Sequence, residues 1–218
     1  MSLESRLVNL AAAGRKLVEH GLVRGSGGNL SLRWEDLCYI TPTGARLDRL
    51  SAGDFVPLKI YGPNTWQLQR ASSEHAMHLA CYRTRPDAAT VFHVHPPNCI
   101  ALAAAGLSLP ALTPDLYLAV GPEVPLLPYI TPTTQALADA VAQALSGDSD
   151  AVLLRNHGLV LIAASTDEAL VHTLLVEDAA YSVLQAYAAA GTCSFLTAEQ
   201  MAELERVTGR YRRRRATE

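Results

Sequence analysis

Leu3, Leu7, Leu10, Leu17 and Val18 recur at helical spacing through the first twenty residues, with charges between them. This stripe predicts an amphipathic helix over about 3–20, closed by Gly21, which is free to take positive φ. The period then changes. "GSGGN" reads as a Gly-rich loop, followed by a strand near 29–33, a turn at Glu35–Asp36, a strand near 37–41 and a second turn at 42–44. "FVPLKIYG" (55–62) reads as a strand that Pro57 confines to an edge or a bulge. The stretch 72–86 predicts a helix with a serine cap that stops before Pro86, and "AATVFHVH" (88–95) a buried strand. Two prolines open a helix over 96–106. The stretch 107–130 carries five prolines and reads as irregular. A helix over 133–147 ends at Gly147, and two buried strands in 151–165 break at His157–Gly158. A long amphipathic helix over 166–191 has an acidic first turn that suits the helix dipole. A last helix from 197 passes into a basic tail. No linker interrupts the pattern, so one α/β domain over 1–209 with a basic tail at 210–218 is expected.

Composition narrows the class. With 218 residues, 49% hydrophobic and 18% charged, the chain can bury an ordinary core. The net charge of −3 argues against general nucleic-acid binding. Cys38, Cys81, Cys99 and Cys193 form no CxxC pair, which fits a reducing compartment and argues against a cysteine metal cage. Charges are mixed into the apolar residues of the N-terminus, unlike a signal peptide. No apolar run approaches the roughly 18 residues of a membrane span. A soluble cytoplasmic protein is expected, with neither membrane nor nucleic acid as partner.

The candidate chemistry begins at "VFHVHPP" (91–97). In a strand, residues two apart share a face, so His93 and His95 project side by side while Phe92 and Val94 turn away. Two imidazoles so placed can meet one metal ion; the plainer alternative is a pair of partly buried histidines bonded to backbone. His157 interrupts a second apolar run just before Gly158, either as a core residue or as a third ligand at a strand end. Together the three match the ligand count of an open catalytic metal site. Glu74, at the start of a predicted helix, is either a helix-dipole acid or a carboxylate near the metal. His78 lies one turn on, on the same face. "GSGGN", "TPTG" and "SS" offer N–H groups and hydroxyls that suit an oxyanion, or are ordinary turns. Neither a P-loop nor a GxGxxG fingerprint is present.

In order and spacing, "GSGGNLSLR" (25–33), "TPTG" (41–44), "SSEHAMHLACYRTRPDAATVFHVH" (72–95) and "RNHGLVLI" (155–162) resemble the class II aldolase/adducin family. The resemblance implies a three-layer α/β/α sandwich around a central mixed, mainly antiparallel sheet. It also implies a homotetramer with active sites between subunits. It makes His93, His95 and His157 ligands of one divalent metal ion per chain, zinc first, with manganese, cobalt or iron as alternatives. Glu74 matches the acidic residue that ligates the resting metal and then acts as base. Asn29, Thr43, Gly44, Ser72 and Ser73 match positions that hold a substrate phosphate, with Gly28 adding a backbone N–H. Adducin-type members, which serve as interaction modules, lack the metal histidines; this chain keeps all three.

Among its members the chain most resembles the L-fuculose-1-phosphate aldolase group. That implies a lyase cleaving a carbon–carbon bond of a small phosphorylated sugar or sugar acid through an enediolate whose charge a divalent metal offsets. The chain departs from the pattern at "PALTPDLYLAVG" (110–121), where family aldolases carry a His-Tyr pair; Asp115 and Tyr117 are the nearest candidates, Tyr117 as proton donor, and Tyr211 sits where some place a second tyrosine. "LTP" here is similar to 3-oxo-tetronate 4-phosphate decarboxylases of the family. Decarboxylation or pentulose-phosphate 4-epimerisation in the same site therefore stands as an alternative to aldol cleavage.

Overall fold

A computed structural model describes residues 1–209. Among them are seven α-helices: α1 (Leu3–Glu19), α2 (His75–Thr84), α3 (Pro97–Ala104), α4 (Pro114–Val120), α5 (Gln135–Ala144), α6 (Thr166–Ala190) and α7 (Ala198–Thr208). The strands are β1 (Asn29–Trp34), β2 (Leu37–Ile40), β3 (Val56–Lys59), β4 (Thr90–Val94), β5 (Leu109–Pro110), β6 (Glu123–Val124), β7 (Leu126–Leu127), β8 (Ala151–Leu154) and β9 (Gly158–Ala163). Seven of these form one sheet in the order β3-β2-β1-β4-β9-β8-β7, and β5 and β6 pair separately. Every pairing in the large sheet is antiparallel except β7 with β8. The expected mixed, mainly antiparallel sheet is therefore present.

The strand period of two sorts side chains onto two faces. Leu30, Leu32, Phe92, Val94, Leu153, Leu159 and Leu161 enter one core with α1, α3, α4 and α6. Val91, Val152, Leu154, Val160 and Ile162 enter another with α2 and α5. These two cores make the three layers. The alternation also fixes where the polar residues go. Asn29 pairs with His93 across β1 and β4, and Ser31 pairs with Val91. Asn29, Ser31 and His93 therefore face α2.

The predicted elements stand with two corrections, at the start of α2 and in 107–130. The edge strand is β3, where Pro57 costs little because one side of the strand is unpaired. α2 starts at His75 with Glu74 in the capping position, and no serine caps it; the Ser72 hydroxyl instead accepts from Glu74 N at 3.2 Å. The stretch 107–130 is more ordered than its prolines suggested. Thr113 caps α4 by accepting from Leu116 N, and Pro114 takes the first helical position, where its missing N–H is harmless. Pro122 and Pro125 flank β6. The final helix ends at Thr208, with Gly209 left-handed at φ 64°.

Candidate active site

β4 carries the first two histidines. His93 is wholly buried, and His95 follows the last residue of the strand, held by its N–H to Leu22 O at 3.0 Å. α3 starts directly after it. The carboxylate of Glu177, reaching over from α6, accepts from the Asn98 N–H and the Cys99 N–H, both at 2.9 Å, and so occupies the N-terminus of α3. His157 closes the turn between β8 and β9, where Asn156 takes a left-handed φ of 55°. Gly158 lies against the β4 end. A Cβ there would overlap the Val94 carbonyl and come within 2.7 Å of His95 Cδ2. Gly27 flanks the same ring from the other loop, where a Cβ would stand 2.9 Å from His95 Nδ1. Two glycines thus make the slot for His95.

The three rings converge. Nε2 of His93 lies 3.1 Å from Nε2 of His95 and 3.2 Å from Nε2 of His157. Nitrogens about 2.0–2.1 Å from one zinc ion in tetrahedral array stand roughly 3.3 Å apart, close to this spacing. His93 Nδ1 donates to the Leu159 carbonyl at 3.0 Å, so Nε2 of the neutral ring presents a lone pair to its neighbours. Crowded lone pairs repel unless a cation lies among them. Glu74 completes the set, with Oε2 3.2 Å from His93 Nε2 and Oε1 3.5 Å from His157 Nε2. Glu74 Oε1 is buried without a hydrogen-bond partner among the described residues. Three nitrogens and a carboxylate converging in this way fit a divalent cation, and the three histidines form a group able to hold one.

The electrostatics point the same way. Burial above all pushes His95 and His157 down to about 4, so both present neutral, ligating nitrogens at neutral pH. Burial opposes ionisation of Glu74. Its contacts with His93, Asn29 and His157 overcome it and hold the carboxyl well below the usual range.

Behind Glu74 lies a buried polar row. Asn29 Nδ2 donates to Glu74 Oε2 at 2.9 Å, and Asn29 Oδ1 lies 2.6 Å from His78 Nε2. His78 Nδ1 lies 2.7 Å from Ser31 Oγ, which lies 2.8 Å from the Tyr82 hydroxyl. Burial above all pushes His78 down to about 3. His78 is thus tied to Asn29 and Ser31, away from the cluster, and His75 bonds the Ser72 carbonyl through Nδ1 at 2.9 Å. Sequence reasoning passed over Ser31, Tyr82 and Glu177. The signal for the first two was alternation: Asn29 and Ser31 on one face of β1, opposite the i, i+4 pair His78 and Tyr82 on α2.

The small-residue turns also gather. Thr41 N bonds Leu30 O, Ser72 N bonds Thr41 O, and Thr43 N bonds Arg70 O. This lays the start of β1, the 42–44 turn and the Ser72–Ser73 turn side by side. Thr43, Gly44 and Ser73 are exposed there, Gly28 is half-buried, and Ser72 is buried. Gly28 and Gly44 take positive φ, at 69° and 67°, which favours glycine. The amide of Asn29 meets Glu74 and His78. Tyr117 is buried in α4, and its hydroxyl donates to Glu205 of α7 at 2.8 Å. Tyr211 lies outside the described residues.

Comparison with known proteins agrees with this architecture. The family model described as "Class II Aldolase and Adducin N-terminal domain" matches residues 8–184. The chain is 37% identical over 162 residues to a 5-deoxy-D-ribulose 1-phosphate aldolase of Bacillus thuringiensis serovar kurstaki, covering 73% of this chain and 75% of that one. It is 36% identical over 150 residues to the L-fuculose phosphate aldolase of Escherichia coli K12, covering 69% of each. Among solved structures it is similar to an L-fuculose 1-phosphate aldolase (TM-score 0.86, 32% identity, 96% of this chain and 98% of that one). It is also similar to YgbL of Klebsiella pneumoniae (TM-score 0.83, 30% identity, 94% and 99%). With the match running through both the sheet and the histidine cluster, this chain belongs to the class II aldolase and adducin family.

Proposed function

We propose that this chain is a metal-dependent lyase that cleaves a carbon–carbon bond in a small sugar phosphate by a retro-aldol reaction. The observation that carries the reading is the meeting of His93, His95 and His157 Nε2 with the Glu74 carboxylate, at 3.1–3.5 Å, next to three small-residue turns. His93, His95 and His157, with Glu74 in the resting state, would hold one divalent ion, zinc first. Such an ion supplies Lewis-acid stabilisation of negative charge on substrate oxygens.

The remaining roles fall to the chain. The exposed turn groups of Thr43, Gly44 and Ser73, with Ser72 and Gly28 behind them, bind the phosphate by N–H and hydroxyl donation. That remote contact orients the reacting carbons. In cleavage, the aldol hydroxyl gives up its proton, the carbon–carbon bond breaks, and its electron pair passes to the carbon beside the carbonyl. Glu74, carrying a proton, delivers it to that carbon. In synthesis, ionised Glu74 removes the same proton. The contacts with His93 and His157 that keep Glu74 ionised must loosen as it takes the proton. The proton on the aldehyde oxygen is assigned to a tyrosine: Tyr211 from across a subunit boundary, or Tyr117 once its hydroxyl leaves Glu205. Residues 1–209 act as one domain in a cytoplasmic homotetramer. Family membership supports the assembly, and four free cysteines support a reducing compartment. Among the described residues no helix is long and apolar enough to cross a membrane.

A second reading keeps the site and changes the reaction to decarboxylation or 4-epimerisation. It is favoured by "LTP" at 112–114 and by the likeness to YgbL, for which aldolase, epimerase and decarboxylase are candidate activities. Incubating the metal-loaded protein with ketose 1-phosphates, pentulose phosphates and 3-oxo-tetronate phosphates tests both. Release of a triose phosphate supports cleavage, release of carbon dioxide supports the second reading, and no turnover anywhere in the panel refutes both.

A further inference from the structure

We infer that His78 is a positioning residue: it sets the Asn29 amide so that the amide holds Glu74 by one oxygen and leaves the other for the proton. This rests on the lyase reading for its catalytic consequence and on hydrogen-bond geometry for its substance.

The direction of every bond in the row follows from what each atom can do. Glu74 is a carboxylate, so its Oε2 accepts, and the Asn29 atom beside it is the Nδ2 donor. Asn29 Oδ1 must then face His78, and an amide oxygen only accepts. His78 Nε2 therefore carries the hydrogen in the 2.6 Å contact. A neutral imidazole with hydrogen on Nε2 accepts at Nδ1, so the Ser31 hydroxyl donates to it at 2.7 Å. With its own hydrogen spent, Ser31 Oγ accepts from the Tyr82 hydroxyl at 2.8 Å. The row reads Tyr82 to Ser31 to His78 to Asn29 to Glu74, and one orientation satisfies all four bonds.

Each member is buried: His78, Ser31 and Tyr82 fully, Asn29 to 6% exposure. Water cannot replace a missing partner cheaply, so the orientation is held by the cost of an unsatisfied group. An Asn amide left alone can turn over and present its oxygen to Glu74, where two acceptors would repel. His78 prevents that turn. The outcome is a carboxylate with unlike oxygens. Oε2 receives the Asn29 N–H; Oε1 is buried without a hydrogen-bond partner among the described residues. Oε1, which faces His157 Nε2 at 3.5 Å, is the oxygen left to take the proton when Glu74 leaves the cation.

Two measurements test the inference. The first needs no activity. Long-range ¹H–¹⁵N correlation spectra of the metal-loaded protein should show His78 as the Nε2–H tautomer, with its assignment made by loss of the signal in His78→Gln. An Nδ1–H tautomer overturns the row. The second follows deuterium uptake at the nucleophilic carbon of a bound ketose phosphate. His78→Leu should lower the exchange rate about 10–100-fold while metal content and the KM for the ketose phosphate stay put. His78→Gln keeps an N–H for Asn29 Oδ1 and should recover most of that loss. Equal losses in the two variants, or a loss confined to KM, would mean that His78 merely packs. If His78→Leu does not fold, the tautomer and the Gln variant still decide. A wild-type protein that binds metal but exchanges no deuterium defeats the lyase reading, and the tautomer then judges the row alone.

Discussion

Glu74 Oε2 and His93 Nε2 face each other across 3.2 Å, one from the cap of α2 and the other from the middle of β4. A carboxylate that only capped its helix would turn toward the first-turn N–H groups; this one makes no capping bond and turns into the sheet.

That orientation yields a prediction for Glu74→Gln. The change keeps size and removes the proton acceptor. Deuterium exchange at the nucleophilic carbon should fall 10²–10⁴-fold, with the fold intact and metal still bound by the histidines. Near-normal exchange would take Glu74 out of the mechanism.

Metal content is the second test. Purified wild-type protein should carry one equivalent of a divalent ion by elemental analysis. His93→Ala, His95→Ala and His157→Ala should each lose most of it, because two imidazoles cannot close the site. A stoichiometric ion surviving all three substitutions would place the metal elsewhere.

The third concerns pH in the metal-free protein. His95 and His157 sit near about 4 and His78 near about 3, each lowered first by burial. In the unfolded chain a histidine titrates near 6.5. Below about 6.5, and down to the folded values, the unfolded chain binds more protons, so stability falls with pH across that window and is level above it. Urea midpoints measured between about pH 7.5 and 4.5 should drop through this range. A midpoint that rises on acidification would contradict the burial of these rings as neutral groups.

The fourth concerns Gly158, packed against the Val94 carbonyl and His95 Cδ2. Gly158→Ala should cost about 1–3 kcal/mol from overpacking and should weaken metal binding by displacing the His95 ring. Denaturation and metal titration of one sample measure both. An unchanged metal affinity would show that His95 has room to move.

Much of this site was legible because the strand period of two is a strong geometric rule. Alternation alone put His93 and His95 on one face, and the break at His157–Gly158 marked the turn that delivers the third ring. Glu74 was seen, but as a helical residue one turn from His78. Its place one residue before the helix, facing Asn29, depends on tertiary contacts that no local pattern encodes. The same holds for Glu177, whose donors belong to a helix far away in the chain. α4 was hidden by its prolines, although Thr113–Pro114 is a good helix opening.

The sorting of side chains onto two sheet faces has a consequence for how this molecule can change. The side covered by α1, α3, α4 and α6 is packed from aliphatic and aromatic groups, where swaps that conserve volume are tolerated well. The side facing α2 carries Asn29, Ser31, His78 and His93, each needing a named partner. Volume-conserving swaps on the first side should therefore spare activity, whereas substitution of Asn29, Ser31, His78 or His93 on the second should impair it while the fold persists. A thermostabilised variant is best sought by repacking the first side alone.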